Sequence, residues 1–328
     1  MRRTLKALVI LALIGLLTGG GGFLYVQAKV FEPGHHNLDV RVLISPGSGV
    51  STIAAQLQAE GLVSNGLLMR LWARLSGQHT RLRAGEFEIP ARASIADVLS
   101  VLESGKTYVR KLTLAEGLTV TEAMQVVQDA EGLTGDITTI PDDGQILPET
   151  YHYAWGDTRA DMVARMTADM AALVRVQWAA RPDGFIIKSP QDLVTLASIV
   201  EKETGIAFER PQVAAVFLNR LRKGMRLQSD PTVVYALTNG SGGLGRALTR
   251  ADLKIDSPYN TYRVRGLPPA PIANPGRDSL LAVMNPADTD ALYFVADGSG
   301  GHVFARTLKE HNRNVAKWRT FKSKNSGK

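Results

Sequence analysis

The 328-residue chain contains no cysteine, which excludes disulfides and thiolate metal sites and is compatible with an oxidising compartment. Its six histidines show no HxxxH-type spacing, so neither a metal centre nor a cofactor is expected. The net charge of +7 is not gathered into a basic stripe with interleaved aromatics, and no nucleic-acid partner is expected. What the chain does have is length enough for two modest domains.

Arg2, Arg3 and Lys6 precede an apolar run over residues 7–28, interrupted only by Thr18, Gln27 and glycines. Its length matches a bilayer crossing, and no small-x-small cleavage site closes it before Lys29. The expectation is a transmembrane helix over 7–28, with residues 1–6 cytoplasmic and everything after it on the outer side. At the other end, residues 317–328 form a basic tail, solvated or touching anionic lipid or polymer.

Between about residues 39 and 135 one pattern recurs three times, at 47–57, 89–99 and 114–124. Each copy sets a hydroxyl residue (Thr52, Ser94, Thr119) before a β-branched one, as at a helix N-cap, and an apolar residue (Leu57, Leu99, Met124) on the same face one turn later. A strand-like run precedes each copy. Such a unit resembles the LysM type of glycan-binding module, and a purely structural spacer would use the same pattern. Trp72 in the intervening apolar segment is assigned to the core.

Residues 189–205, SPQDLVTLASIVEKETG, read as a short buried helix. Ser189 supplies the N-cap, Pro190 the first helical position, and Gly205 can close the far end. Glu201 follows directly on the apolar run. A helix C-terminus and apolar neighbours both disfavour an ionised carboxylate, so Glu201 is expected to stay protonated, as a general acid requires. A helix-end glutamate is by default only a solvated surface group, so support must come from elsewhere in the chain. Glu203 lies farther from the apolar run, and Glu209, at the start of the next helix, suits capping better than acid catalysis.

Further along, RLQSDP carries Gln228 and Asp230, and SPYNTYRVRGLPP carries Tyr259, Asn260 and Tyr262. Long irregular segments of this kind often carry function, although turn and loop-core chemistry uses the same residues. LYFVADGSGGHVF reads as a hairpin turning at Asp297 and Gly298.

The strings LASIVEKET, ERPQVAAVFLNRLRKGMRLQSDPTVVYAL, SPYNTYRVRGLPP and LYFVADGSGGHVFARTLKEHN, in this order, closely resemble the endolytic murein transglycosylase family, the YceG-like or MltG family. The resemblance implies an α+β chain: an N-terminal transmembrane helix, a small LysM-like α/β repeat domain over 39–135, and a lysozyme-like lytic transglycosylase-type catalytic domain over 144–316. It also implies a single-pass protein of the cell inner membrane with its catalytic domain in the periplasm. Peptidoglycan glycan strands would be the substrate, and peptidoglycan synthases candidate partners. Glu201 would be the catalytic acid, with Gln228, Asp230, Tyr259, Asn260 and Tyr262 lining the cleft. The implied reaction cleaves the MurNAc–GlcNAc bond within the strand to leave 1,6-anhydro ends. Two other functions fit the same residues: a hydrolytic muramidase using Asp230 or Glu149 as second carboxylate, and a non-catalytic wall-binding scaffold.

Overall fold

The computed structural model describes residues 2–325. In chain order it runs α1 (Arg2–Val30), β1 (Val40–Ile44), α2 (Val50–Ala59), α3 (Gly66–Leu75), β2 (Gly85–Ile89), α4 (Ile95–Ser104), β3 (Arg110–Thr113), α5 (Val120–Gln128) and β4 (Thr150–Tyr153). Then follow α6 (Arg159–Ala179), α7 (Pro190–Glu203), α8 (Arg210–Arg222), α9 (Asp230–Thr238), α10 (Arg277–Met284), β5 (Tyr293–Ala296), β6 (His302–Ala305) and α11 (Leu308–Asn325). The strands form three two-stranded sheets, β1 with β2, β3 with β4, and β5 with β6. Two compact units result, residues 1–110 with 152–156 and residues 111–151 with 157–328.

In the first unit β1 and β2 pair antiparallel with Val42 opposite Phe87 and Val40 opposite Ile89. Alternation sends Val42, Ile44, Phe87 and Ile89 to one buried face. Against them lie Ile53 and Leu57 of α2, Met69 of α3, and Val98, Leu99 and Leu102 of α4. Each such side chain contributes roughly 1.5–3 kcal/mol by leaving water. Trp72 packs at the margin of this core, its ring 5.6 Å from that of Phe31.

Two of the three repeated hydroxyls cap as expected. Ser94 forms a capping box with Asp97, and Thr119, in the second unit, forms one with Glu122. Thr52 does not, because α2 begins earlier in the repeat, after Gly49.

The second unit is built around α7. Its residues from Leu193 to Val200 are buried on every side, so no face is left for water. The surrounding layers come from Met170 and Leu173 of α6, Val213 and Phe217 of α8, and Leu280 and Val283 of α10. Two buried polar side chains then fix the loops. Ser198 Oγ accepts the Ile272 N–H at 3.0 Å, and Asn274 Oδ1 accepts the N–H groups of Gly144 and Ile146 at 2.9 and 3.1 Å. The β5–β6 hairpin docks through Phe294, edge-on to Phe217 at 5.8 Å.

The structure corrects the expected fold class. It is a mixture of helix and sheet, and among the described residues no helix is long and apolar enough to cross a membrane. The expected span over 7–28 falls within α1, which has the length. Its described positions, however, include Thr18, Gln27 and four consecutive glycines from Gly19, which offer little apolar surface for a lipid interior. The localisation falls with the span, because single-pass insertion in the inner membrane, a cytoplasmic N-terminus and a periplasmic catalytic domain all depended on it. Of Arg2, Arg3 and Lys6, on which the orientation rested, the side chains of Arg2 and Arg3 lie outside what the structure describes. The stretch expected to be a basic tail is helical within α11 as far as Asn325, with Trp318 stacked on Phe321 at 5.8 Å; residues 326–328 lie outside the described residues.

Candidate active site

Helix α7 starts where Ser189 Oγ accepts the Asp192 N–H at 3.0 Å and Pro190 sets the first turn. It ends at Thr204, whose extended backbone (φ −144°, ψ 129°) stops the helix before Gly205 is needed. Glu201 and Glu203 therefore share the last turn. Two residues apart on a helix is roughly 200° of rotation, so the two carboxylates leave α7 on opposite sides.

On one side Glu201 is enclosed, with its side chain 5% exposed. Its Oε1 accepts from Arg210 Nη2 at 3.1 Å and its Oε2 from the Gly276 N–H at 2.9 Å. The same Nη2 reaches Glu116 at 2.7 Å, and Nη1 approaches Asp278 at 3.5 Å. Burial and the nearby Glu201 charge raise the Glu116 carboxyl above its ordinary value, with Arg210 opposing. A Cβ at position 276 would meet the Glu116 carboxylate, which would have to swing aside.

On the other side Glu203 faces a cavity of about 550 Å³ that it lines with Arg220, Gln228, Asp230, Tyr262 and Tyr293. Ser229 Oγ donates to Glu203 Oε1 at 2.5 Å. Burial pushes the Glu203 carboxyl up to about 7, and Asp230 adds to this, while the Ser229 bond and the charges of His302 and Arg220 pull it down. A carboxyl poised there is protonated over part of the neutral range and can both give and take a proton. This is the environment that the sequence pattern assigned to Glu201.

The cavity wall is set by two packed loops. Gln228 has a left-handed backbone (φ 53°), and its N–H bonds to Thr261 O at 3.2 Å. Ser229 N–H bonds to Thr261 Oγ1 at 3.0 Å. Thr232 Oγ1, at 2.9 Å from Thr261 Oγ1, also donates to Ser229 O at 2.7 Å. Ser229 is thus placed by a buried hydroxyl network. Tyr262 Oη donates to Asp230 at 2.6 Å, and burial, then this bond, keep its phenol protonated.

Of the five residues expected around the acid, Gln228, Asp230 and Tyr262 meet on this cavity with Glu203. Tyr259 sits elsewhere, its ring 4.8 Å from Tyr235, whose Oη donates to Asp143. Asn260 is fully buried: Nδ2 donates to the carbonyls of Leu253 and Ile255, and Oδ1 accepts the Tyr262 N–H, so it braces the loop that carries Tyr262. Glu209 does not cap α8. It accepts the His302 N–H at 2.8 Å and pairs with His302 Nδ1 at 2.7 Å, tying β6 to the α7–α8 link. Ser229, Arg220 and Tyr293 escaped sequence reasoning. Ser229 lies between two chosen residues and could have been found, but nothing local marks a buried arginine.

A second cavity, of about 270 Å³, is lined by Asp230, Glu122, Lys202 and Tyr235, so Asp230 borders both. A third, of about 500 Å³ beside α6, is lined mostly by aliphatic groups.

Similar proteins carry related architecture and names. The chain is 32% identical over 340 residues to the endolytic murein transglycosylase of Bacillus subtilis (strain 168), covering 93% of this chain and 92% of that one. It is 31% identical over 368 residues to the endolytic murein transglycosylase of Streptococcus pneumoniae (strain R6), covering 95% of this chain and 65% of the relative's length. The crystal structure of a YceG-like protein from Listeria monocytogenes superposes with a TM-score of 0.54 at 28% identity, over 84% of this chain and 98% of that one. Residues 42–317, which include α7 and the whole wall of the Glu203 cavity, match the YceG-like family, and the chain belongs to it.

Proposed function

We propose that this protein is an endolytic murein transglycosylase that cuts peptidoglycan glycan strands internally, with Glu203 as the proton-transfer group. The observation that carries the assignment is a carboxyl poised near 7 on a cavity shared with Gln228, Asp230 and Tyr262. Glu201, the acid expected from the sequence, has both oxygens engaged by Arg210 and Gly276, and we assign it to holding the last turn of α7.

The protonated Glu203 gives its proton to the oxygen linking N-acetylmuramic acid to N-acetylglucosamine. The C1–O bond breaks, and the N-acetylglucosamine side leaves as an alcohol. The carboxylate so formed takes the proton of the muramyl 6-hydroxyl, whose oxygen bonds to C1 and closes the 1,6-anhydro ring. No water is consumed, and a single carboxyl serves both transfers. Gln228 and Tyr262 orient the sugar, which supplies proximity without a covalent intermediate. The synthases that make nascent strands are the partner class this reading implies.

One observation favours a second mechanism. Asp230 is a second carboxylate on the same cavity, and a hydrolytic muramidase needs two carboxylates about 5 to 9.5 Å apart. Mass spectrometry of purified glycan strands after incubation decides between them. Anhydro-muramyl ends support the transglycosylase, reducing muramyl ends the muramidase, and uncut strands overturn both.

A further inference from the structure

Arg220 is a charged group that this mechanism does not use. It lies on α8 and is only 7% exposed. Its Nε donates to Leu292 O at 2.6 Å, and its Nη1 donates to the carbonyls of Leu227 and Arg226 at 2.6 and 3.4 Å. The guanidinium lies over the Tyr293 ring at 5.2 Å. Among the described residues no carboxylate comes within ion-pair distance, and Nη2 has no acceptor. By contrast, Arg210 is neutralised by Glu201 and Glu116, and Arg110 by Glu86 at 2.7 Å. A buried cation without a counter-ion is costly, and with Nε and Nη1 engaged by carbonyls, Nη2 is the donor left for a carboxylate oxygen.

A second polar group is left open beside it. His311, on α11, stacks on Tyr293 at 5.2 Å, and its Nδ1 is buried without a hydrogen-bond partner. Burial and the Arg220 charge hold its imidazole below the ordinary value, which favours the uncharged ring. Asn312 is exposed on the rim of the same cavity. The acidic groups sharing the cavity do not satisfy Arg220: Glu203 is bonded to Ser229 and Asp230 to Tyr262.

We propose that Arg220, His311 and Asn312 form a subsite for a carboxylate of the muramyl substrate. The proposal rests on the glycan-cleaving function above and extends it to substrate choice. N-acetylmuramic acid differs from N-acetylglucosamine by a lactyl ether, which ends in a carboxylate or in a peptide carrying one. A site that pairs a desolvated arginine with that carboxylate tells muramyl glycan from chitin-like glycan.

The test follows the His311 ring by NMR in the full-length Glu203→Gln protein, which lacks the proposed acid. N-acetylmuramic acid, N-acetylmuramyl-L-alanyl-D-isoglutamine and N-acetylglucosamine are titrated separately. A bound anion beside the imidazole favours its charged form, so the muramyl compounds should raise the His311 pKa saturably and N-acetylglucosamine should not. A response to the free acid alone assigns the lactyl carboxylate, and a response to the peptide compound alone assigns the peptide. Asn312→Asp, an exposed change that spares the core, should weaken binding about tenfold by placing a like charge at the rim. An unmoved His311 with both muramyl compounds, an equal shift with N-acetylglucosamine, or unchanged affinity in Asn312→Asp overturns the subsite. Should the parent still cut strands in that case, only the subsite falls. Should muramyl carboxylates move His311 while the parent leaves strands uncut, the cleavage function falls and the carboxylate site stands.

Discussion

The two sides of the last turn of α7 differ more than their sequence separation suggests. Glu201 directly follows the apolar run yet meets a guanidinium and a backbone N–H; Glu203, farther along, meets a serine hydroxyl and a cavity wall. Being next to apolar residues in the chain therefore does not make a carboxylate desolvated and unpaired. What decides is which partners other segments deliver. Arg210 comes from the start of α8 and Gly276 from the loop before α10, and both arrive on the Glu201 side.

Exchanging each carboxylate for its amide tests that contrast most strongly. Glu203→Gln should lower release of anhydro-ended products by at least the roughly 10²- to 10⁴-fold that acid–base catalysis supplies, with the fold retained. Glu201→Gln should retain far more turnover and lose stability instead. A folded but inactive Glu201→Gln protein beside an active Glu203→Gln protein would return the acid to Glu201.

Arg210→Met breaks the other side. It leaves Glu201 buried without its cation, and breaking a buried pair in this way costs about 3–5 kcal/mol. Urea denaturation measures the loss, and a midpoint equal to the parent's would remove the proposed lock.

The pH dependence sharpens the comparison. Glu203 is raised in the folded protein, so its stabilising contribution is complete below the ordinary glutamate value and is lost as pH rises through about 7. Above pH 7 the Glu203→Gln protein should therefore be more stable than the parent, by on the order of 2–3 kcal/mol, with the gap closing toward pH 4. Turnover of the parent should fall on the alkaline side of about 7 as the acid form is lost. Paired denaturation curves at pH 4 and pH 8 that show no divergence would deny the raised carboxyl.

Ser229→Ala should have the smallest effect. The serine bond favours ionised Glu203, so its removal moves the alkaline limb of the pH–rate profile upward. Stability should change by about 1 kcal/mol, the worth of one hydrogen bond. A limb that moves down instead would mean that Ser229 donates to something other than Glu203.

Much of the scaffold was legible because its signals are local. Ser189, Ser94 and Thr119 cap where their spacing says they should, and the hairpin turns at Asp297. Capping, periodicity and turn chemistry depend on neighbours within a few residues, so the chain states them outright. The motifs around Gln228, Asp230 and Tyr262 were legible too, through their resemblance to a family. Asn260 and Tyr259 were picked out by the same motif, but one braces a loop and the other packs on Tyr235.

The division between the two carboxylates was decided by contacts across long stretches of chain. Glu201 meets its backbone donor at Gly276, 75 residues away, and Glu203 meets Ser229, 26 residues away. Arg220 has no ion-pair partner because Leu292 and Leu227 offer it carbonyls where Arg210 and Arg110 meet carboxylates. Helix ends, buried faces and turns follow from interactions within one or two turns of backbone. Protonation, pairing and the chemistry of the site follow from desolvation and charge, which exist only once distant segments have closed around a group.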